Sequence, residues 1–236
     1  AEVFKTESGT VTNASLSGPG AAAEGFKFPE GDILFLAGPR QYSIEALTEN
    51  FPDSTYYFSF DTPDGDIDRM PVSFERDQGE LRNPGPIEVS LSQLGLPIEP
   101  DLINPDEDLT VSWTPFSKGS ADPKGIIDDM IYVMMGNCMG IETVHSGHAI
   151  SNLDALTYQA ESFTIPAGKL FPGQPFQLEI EHSNMDTNEW QDIEQIITYA
   201  ATTFLDIHTL GTDSQNTNCP EQPYAMDGGQ TDRIRP

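Results

Sequence analysis

The fold class the sequence predicts is all-β: two packed antiparallel β-sandwich domains. Three observations predict it. Apolar side chains recur with a period of two along nearly every ordered segment, the repeat of a strand with one buried face. Clusters of turn-forming residues, "SGPG", "FPEGD", "TPDGD", "RNPGP" and "FPGQP", punctuate those segments, and Gly and Pro supply the backbone angles that tight turns need. The chain of 236 residues carries 20 Gly and 19 Pro, which suits many short strands rather than long helices.

Along the chain, "SIEALTENFP" offers Ser43 as an N-cap, Glu45 in a first turn and a stop before Pro52, so one short helical turn is expected. "FDTPDGDIDR" reads as a hairpin around "PDG". In "MPVSFER", Met70, Val72 and Phe74 share a face. The composition breaks at "RDQGELRNPGPIE". A boundary near residue 85 there separates an N-terminal β-domain, residues 1–85, from a larger one, residues 86–210, followed by a tail, residues 211–236. No long linker intervenes, so rigid packing of the two is expected. Alternation resumes with Ile87, Val89 and Leu91, then with Leu109, Val111 and Trp113. In "MIYVMM", Met130, Tyr132 and Met134 face one way and Ile131, Val133 and Met135 the other. Methionine fills irregular core gaps, so this cluster reads as packing. "PFQLEIEH" sets Phe176, Leu178 and Ile180 opposite Gln177, Glu179 and Glu181. "MDTNEWQDIEQII" has Trp190, Ile193, Ile196 and Ile197 at helical spacing, predicting a second short helical turn. The last strand aligns Ile197, Tyr199, Ala201, Leu205 and Ile207.

"DLTVSWTPF" resembles the second strand of a fibronectin type III or related immunoglobulin-like sandwich, with Trp113 as its core tryptophan. "SFTIPAGKLFPGQPFQLEIE" is similar to the later part of that pattern, where a Leu-x-Pro-Gly turn leads into an aromatic strand; Leu170, Pro172, Gly173 and Phe176 take those places. The resemblance implies an immunoglobulin/fibronectin III-like second domain. Phe stands where Tyr is usual, which removes the corner hydrogen bond. The spacing from Trp113 to Phe176 implies a long insertion around residues 117–160. The chain as a whole also resembles secreted proteins of environmental bacteria in which an "AL…FP…TYYF" segment (Ala46, Leu47, Phe51, Pro52, Tyr56 to Phe58) precedes a "VSW…TIPAG.L.PG" domain. That likeness spans roughly residues 11–210 and implies fold and export but no activity. Sandwiches serve adhesins, glycan binders, fibre subunits and enzyme accessories alike.

Charge narrows the function classes. Asp and Glu number 38 against 11 Lys and Arg, a formal charge of −27. Nucleic-acid binding is all but excluded, because its affinity comes from cations that neutralise phosphates. Anionic membrane surfaces are disfavoured for the same reason. No run approaches the roughly 18 apolar residues of a membrane span, so membrane insertion is not expected. Such a charge suits a protein bathed in salt or divalent cations, or a merely soluble acidic one. The opening "AEVFKTESGT" has no basic start followed by an apolar run, and a start on Ala fits removal of a leader at an Ala-type site.

Cys138 and Cys219 are the two cysteines. In an exported protein an even pair predicts one disulfide, here closing a loop that contributes a few kcal/mol in the chain-entropy model; a free thiol or a metal ligand are the alternatives. Asp61, Asp64, Asp66 and Asp68 surround a Gly within eight residues. Clustered carboxylates on a turn can supply the oxygens that calcium takes, while an ordinary hairpin turn accounts for the same residues. Asp106, Glu107 and Asp108, and Asp128 with Asp129, raise the same pair of readings. Cys138, Met139, His145 and His148 could converge on copper, but their spacing follows no defined metal pattern.

Catalysis finds no support in a Gly-x-Ser-x-Gly elbow or a phosphate-cradling loop, and 38 acids produce carboxylate pairs by chance. His182 reads as a core-edge histidine and His208 as outward-facing. Trp190, Tyr158 and Tyr224 are candidate platform aromatics. The expected function is a non-catalytic extracellular structural or adhesive protein, self-associating or bound to other surface proteins, such as a subunit of a surface filament or matrix. "EVFKT" and the tail beyond Gly211 are candidate segments for strand donation. The alternative is a glycan-binding module of a secreted carbohydrate-utilisation system, with Trp190 on the polysaccharide.

Overall fold

A computed structural model describes residues 2–3, 11–21, 25–29, 34–35, 41–75, 80–137, 142–147 and 155–213. The described chain is all-β with several antiparallel sheets. Contacts divide it into two compact units, Ala1–Arg82 with Thr187–Ile197, and Asn83–Asp186 with Thr198–Pro236. A boundary drawn once along the sequence does not describe this division, because a late segment returns to the first unit.

The first unit contains β1 (Glu2–Val3), β2 (Thr12–Ser17), β3 (Phe26–Lys27), β4 (Leu34–Phe35), α1 (Ile44–Asn50), β5 (Thr55–Thr62) and β6 (Gly65–Ser73). Its main sheet has the order β3-β2-β5-β6. β1, the segment considered for donation, pairs antiparallel with β4 of its own chain. The core is Ala14, Phe28, Leu34, Phe60 and Met70, with Leu16, Phe58 and Ile67 packed against it. α1 is longer than the single turn expected. Ser43 Oγ accepts from the Ala46 amide at 3.2 Å and the Phe51 amide closes the other end on Leu47 O at 2.7 Å. Caps at both ends satisfy backbone groups that a short helix otherwise leaves open, and Pro52 follows the cap.

The second unit contains β7 (Val89–Gln93), β8 (Leu96–Pro97), β9 (Leu109–Trp113), β10 (Met130–Asn137), β11 (Glu142–His145), β12 (Leu156–Thr157), β13 (Ser162–Ile165) and the bases of β14 (Pro175–Trp190) and β15 (Ile193–His208). One sheet runs β13-β9-β7-β8 and the other β11-β10-β14-β15, with β12 also on β10. A single core joins side chains of both sheets: Leu91, Val111, Trp113 and Ile165 from one, Ile131, Val133, Phe176, Leu178 and Ile180 from the other. The alternation read from the sequence is what buries them. Residues 117–160 are not simply an insertion, since β10 pairs with β14 over Met130–Asn137. Gly173 has φ +66, and a Cβ there would collide with the backbone at Thr212 and Asp213; only glycine permits that approach.

The second helical expectation is replaced by a hairpin. Trp190 ends β14, Ile193 begins β15, and Gln191 (φ 49) and Asp192 (φ 64) form the two-residue turn. Positive φ at both positions is the geometry whose twist matches antiparallel strands. Burial here has period two: Gln195, Ile197 and Tyr199 are buried while Ile196 is exposed. Trp190 and Ile193 pack against the first unit's core.

Candidate functional site

The acidic hairpin is built by β5 and β6. Thr62 pairs with Gly65 and Asp61 with Asp66, so Pro63 and Asp64 make the turn, and Thr62 Oγ1 donates to Gly65 O at 2.7 Å. Asp61 accepts from Asn13 Nδ2 at 2.6 Å, and Ser59 Oγ approaches Asp68 Oδ1 at 3.5 Å. Asp64, Asp66 and Asp68 are exposed. Among the described residues no group of three or more acids, histidines or cysteines is placed to hold one metal ion.

Asp122, Asp128 and Asp129 instead fasten a loop. Asp129 is buried and accepts from Ser120 N (2.8 Å), Ser120 Oγ (3.1 Å) and Met185 N (2.6 Å). Asp128 Oδ1 accepts from Asp122 N at 2.9 Å. Asp122 accepts from the amides of Lys124, Ile126 and Ile127; hydrogen bonds from those of Lys124 and Ile126 hold its carboxyl below the usual range. These carboxylates replace turn and ladder partners that the backbone lacks.

The third acidic group borders an open cleft. Gln93 ends β7 on the buried parity of that strand. Its Nε2 donates to Asn104 O (2.8 Å) and Glu107 O (3.2 Å), and its Oε1 accepts from Asn104 N (2.8 Å). Asp108 Oδ1 accepts from Ala167 N at 2.9 Å. So held, Asp106, Glu107 and Asp108 line a cleft of about 400 Å³ with Thr110, Thr164, Ala167 and Leu94. Leu94 and Gly95 form the β7–β8 turn at φ 52 and 76. Leu94 is 79% exposed and Leu96 69%. Asn or Asp is the usual first residue of such a turn; a leucine there is strained and leaves its side chain in water. The sequence reading missed this tip, although Gln93 on the apolar parity and the "LGL" that follows were visible signals.

The other expected positions disperse. Trp190 is half-buried and its ring packs on the first unit's core, whereas a glycan platform needs an exposed ring face. Met130 and Met135 are buried in β10, and His145 Nδ1 accepts from Gly147 N at 3.0 Å. Cys138, Cys219, Met139, His148 and Tyr224 lie outside the described residues, as does the tail after Asp213. No family model matches the chain, and no curated protein matches it.

Proposed function

We propose that the chain is a non-catalytic, exported structural or adhesive protein whose contact surface is the β7–β8 turn and the cleft beside it. The second unit is read as an immunoglobulin/fibronectin III-like sandwich, and Cys138 bonded to Cys219 belongs to the same reading. Support for the sandwich comes from the orders β13-β9-β7-β8 and β11-β10-β14-β15, from the core that both sheets share, and from Trp113, buried with its Nε1 donating to Ala160 O at 3.0 Å.

The observation that carries the contact surface is Leu94. A turn that only reversed the chain would be better served by Asn-Gly, at a gain of about 1 kcal/mol. Two exposed leucines displayed at a tight tip are the chemistry of a contact, since apolar area there is released from water when a partner covers it. The partner in this reading is another copy of the chain or another surface protein, and calcium at the acidic clusters would bridge like-charged surfaces.

Sedimentation velocity and negative-stain microscopy of the wild type and of a Leu94→Asn, Leu96→Thr variant test this, each in salt with calcium and with chelator. The wild type is expected to form oligomers or filaments and the variant to stay monomeric with an unchanged circular dichroism spectrum. Monomers from both proteins in every condition would sink the reading.

A further inference from the structure

β13 is an edge of the second unit's sheet β13-β9-β7-β8, and the ladder beside it shows which of its backbone groups face outward. Trp113 N donates to Glu161 O at 3.3 Å, and the register continues as Ser162↔Ser112, Phe163↔Val111, Thr164↔Thr110 and Ile165↔Leu109. Bonded and unbonded pairs alternate in an antiparallel ladder. Phe163 and Ile165 are therefore bonded to β9, and the N–H and C=O of Ser162 and Thr164 point away from it. The far side of β9 agrees. Thr114 N donates to Glu88 O at 3.0 Å, and the pairs Ser90↔Ser112 and Ser92↔Thr110 then turn the backbone of Ser112 and Thr110 toward β7. Ser162 and Thr164 are exposed, and among the described residues nothing bonds their outward backbone groups.

Every other described edge is short or defended. β1, β3, β4, β8 and β12 are two residues long. β6 carries Asp66, Asp68 and Pro71 and a bulge. β11 carries Glu142 and lies against a register shift at Met135/Gly136. β15 carries Glu194 and Asp206, and its edge is bonded by Asn83 Nδ2 to Ala200 O at 3.1 Å and by His208 N to Pro100 O at 2.8 Å. Charge, proline, bulges and covering segments are what keep an edge from pairing with another chain. β13, "SFTI", has an unbroken register with β9 and no charge.

We propose that β13 pairs antiparallel with β13 of a second copy across a two-fold axis, joining two four-stranded sheets into one. The absence of charge selects the partner, because a chain of formal charge −27 meets its own copy at least cost where the edge carries no carboxylate. Sheet geometry fixes the register. Opposed residues share a face, so the axis must pass through a residue and not between two. An axis at Phe163 sets Ser162 opposite the partner's Thr164, and the reciprocal pair, with four hydrogen bonds from the outward groups. An axis at Thr164 would set Ser162 opposite the partner's Pro166, which has no N–H to give. At the Phe163 axis the two Phe163 rings, each half-buried against its own core, lie side by side in an unbonded pair, where side chains approach closest. Such an edge is far smaller than the roughly 20–30 residues a side of a stable interface. The dissociation constant is accordingly of the order of 1 mM, beyond the reach of sedimentation at micromolar protein.

The test is amide NMR of the isotope-labelled chain in the Leu94→Asn, Leu96→Thr background, so that failure of the turn contact and failure of this pairing are read separately. Spectra are taken near the expected dissociation constant of about 1 mM and after about hundredfold dilution. With rising concentration the Ser162 and Thr164 amide signals should move downfield and their solvent exchange slow about twofold, as half-occupied pairing requires. The Phe163 and Ile165 amides, bonded to β9, should be protected throughout. Ser162→Pro removes an outward N–H at the first residue of the strand, where proline is tolerated. It should weaken pairing about tenfold or more, through two lost hydrogen bonds per dimer, read on Thr164. Should that variant not fold, the concentration series on the unchanged strand decides. Ser162 and Thr164 amides that are indifferent to concentration, whether exchanging freely or protected even when dilute, overturn the proposal.

Discussion

At neutral pH the imidazole of His182 is uncharged, because burial holds its pKa at about 4 against an ordinary value of 6.5. The folded state therefore binds fewer protons there than the unfolded state at any pH between those values. A pKa lowered on folding means that the stability associated with the neutral ring is complete above about pH 6.5 and declines as pH falls toward 4. Other groups titrate in the same range, so the informative quantity is a difference. His182 stacks on Phe116 with ring centroids 4.7 Å apart. The melting temperature of the wild type should fall more steeply from pH 6.5 to 4 than that of His182→Phe, which keeps an aromatic ring over Phe116 and has nothing to protonate. Parallel melting curves for the two would show that the ring is protonated in the fold at no cost. Tyr56 shifts the other way: burial, and then the negative charge of Asp53, raise its phenol pKa, so its neutral form is favoured while its hydroxyl donates to Pro52 O at 3.0 Å.

Strand edges and turns decide what each element can join. β6 borders its sheet and carries Asp66, Asp68, Arg69 and Pro71. Its register with β5 is broken between Phe58 and Phe60, where Arg69 has φ 56, donates its amide to Ser59 Oγ at 3.1 Å and lies over the Tyr57 ring at 3.9 Å. Charge, proline and a bulge are the devices that keep an edge from templating another chain. The contact proposed for this protein is for that reason placed at a turn rather than in strand addition at β6. The β14–β15 turn is a different case, since Gln191 and Asp192 hold positive φ without being Asn or Gly. Replacing them by Asn-Gly should stabilise the protein by about 1 kcal/mol, read as a higher denaturant midpoint with an unchanged slope. A lower midpoint would mean that these side chains make contacts worth more than the strain.

The same turns explain which elements are legible in the sequence. Leu109, Val111 and Trp113, or Phe176, Leu178 and Ile180, alternate because one face of each strand is buried, and burial leaves a pattern. "EWQDIE" and "SQLGLP" contain tight hairpins whose first turn residue is neither Gly nor Asn, so the usual signal is missing and Trp190, Ile193 and Ile197 fall by chance at helical spacing. The candidate cleft is less legible still, because Leu94, Asp106 and Ala167 are brought together by the Gln93 clamp and by β-pairing. The burial of His182 depends on its stacking against Phe116, which has no sequence pattern.

For the molecule as a whole, charge governs the behaviour of the surface. A formal −27 over 236 residues makes the compact state repel itself, and salt shortens that repulsion to about 8 Å at physiological ionic strength. The melting temperature should therefore rise as sodium chloride is added from low concentration and level off once most exposed pairs are screened. A melting temperature that falls with salt would mean that attractive pairs outweigh the repulsion.

The long β14–β15 hairpin also orders events in time. Translation completes Ala1–Arg82 early, yet Trp190 and Ile193, which pack on the core of that unit, leave the ribosome more than a hundred residues later. At ordinary elongation rates of about 5–20 residues per second, the nascent first unit waits on the order of ten seconds for its last side chains. During that interval the core of the first unit lacks part of its cover, which makes the unfinished chain a natural client for a holding chaperone and the unit hard to obtain as a fragment cut at residue 82.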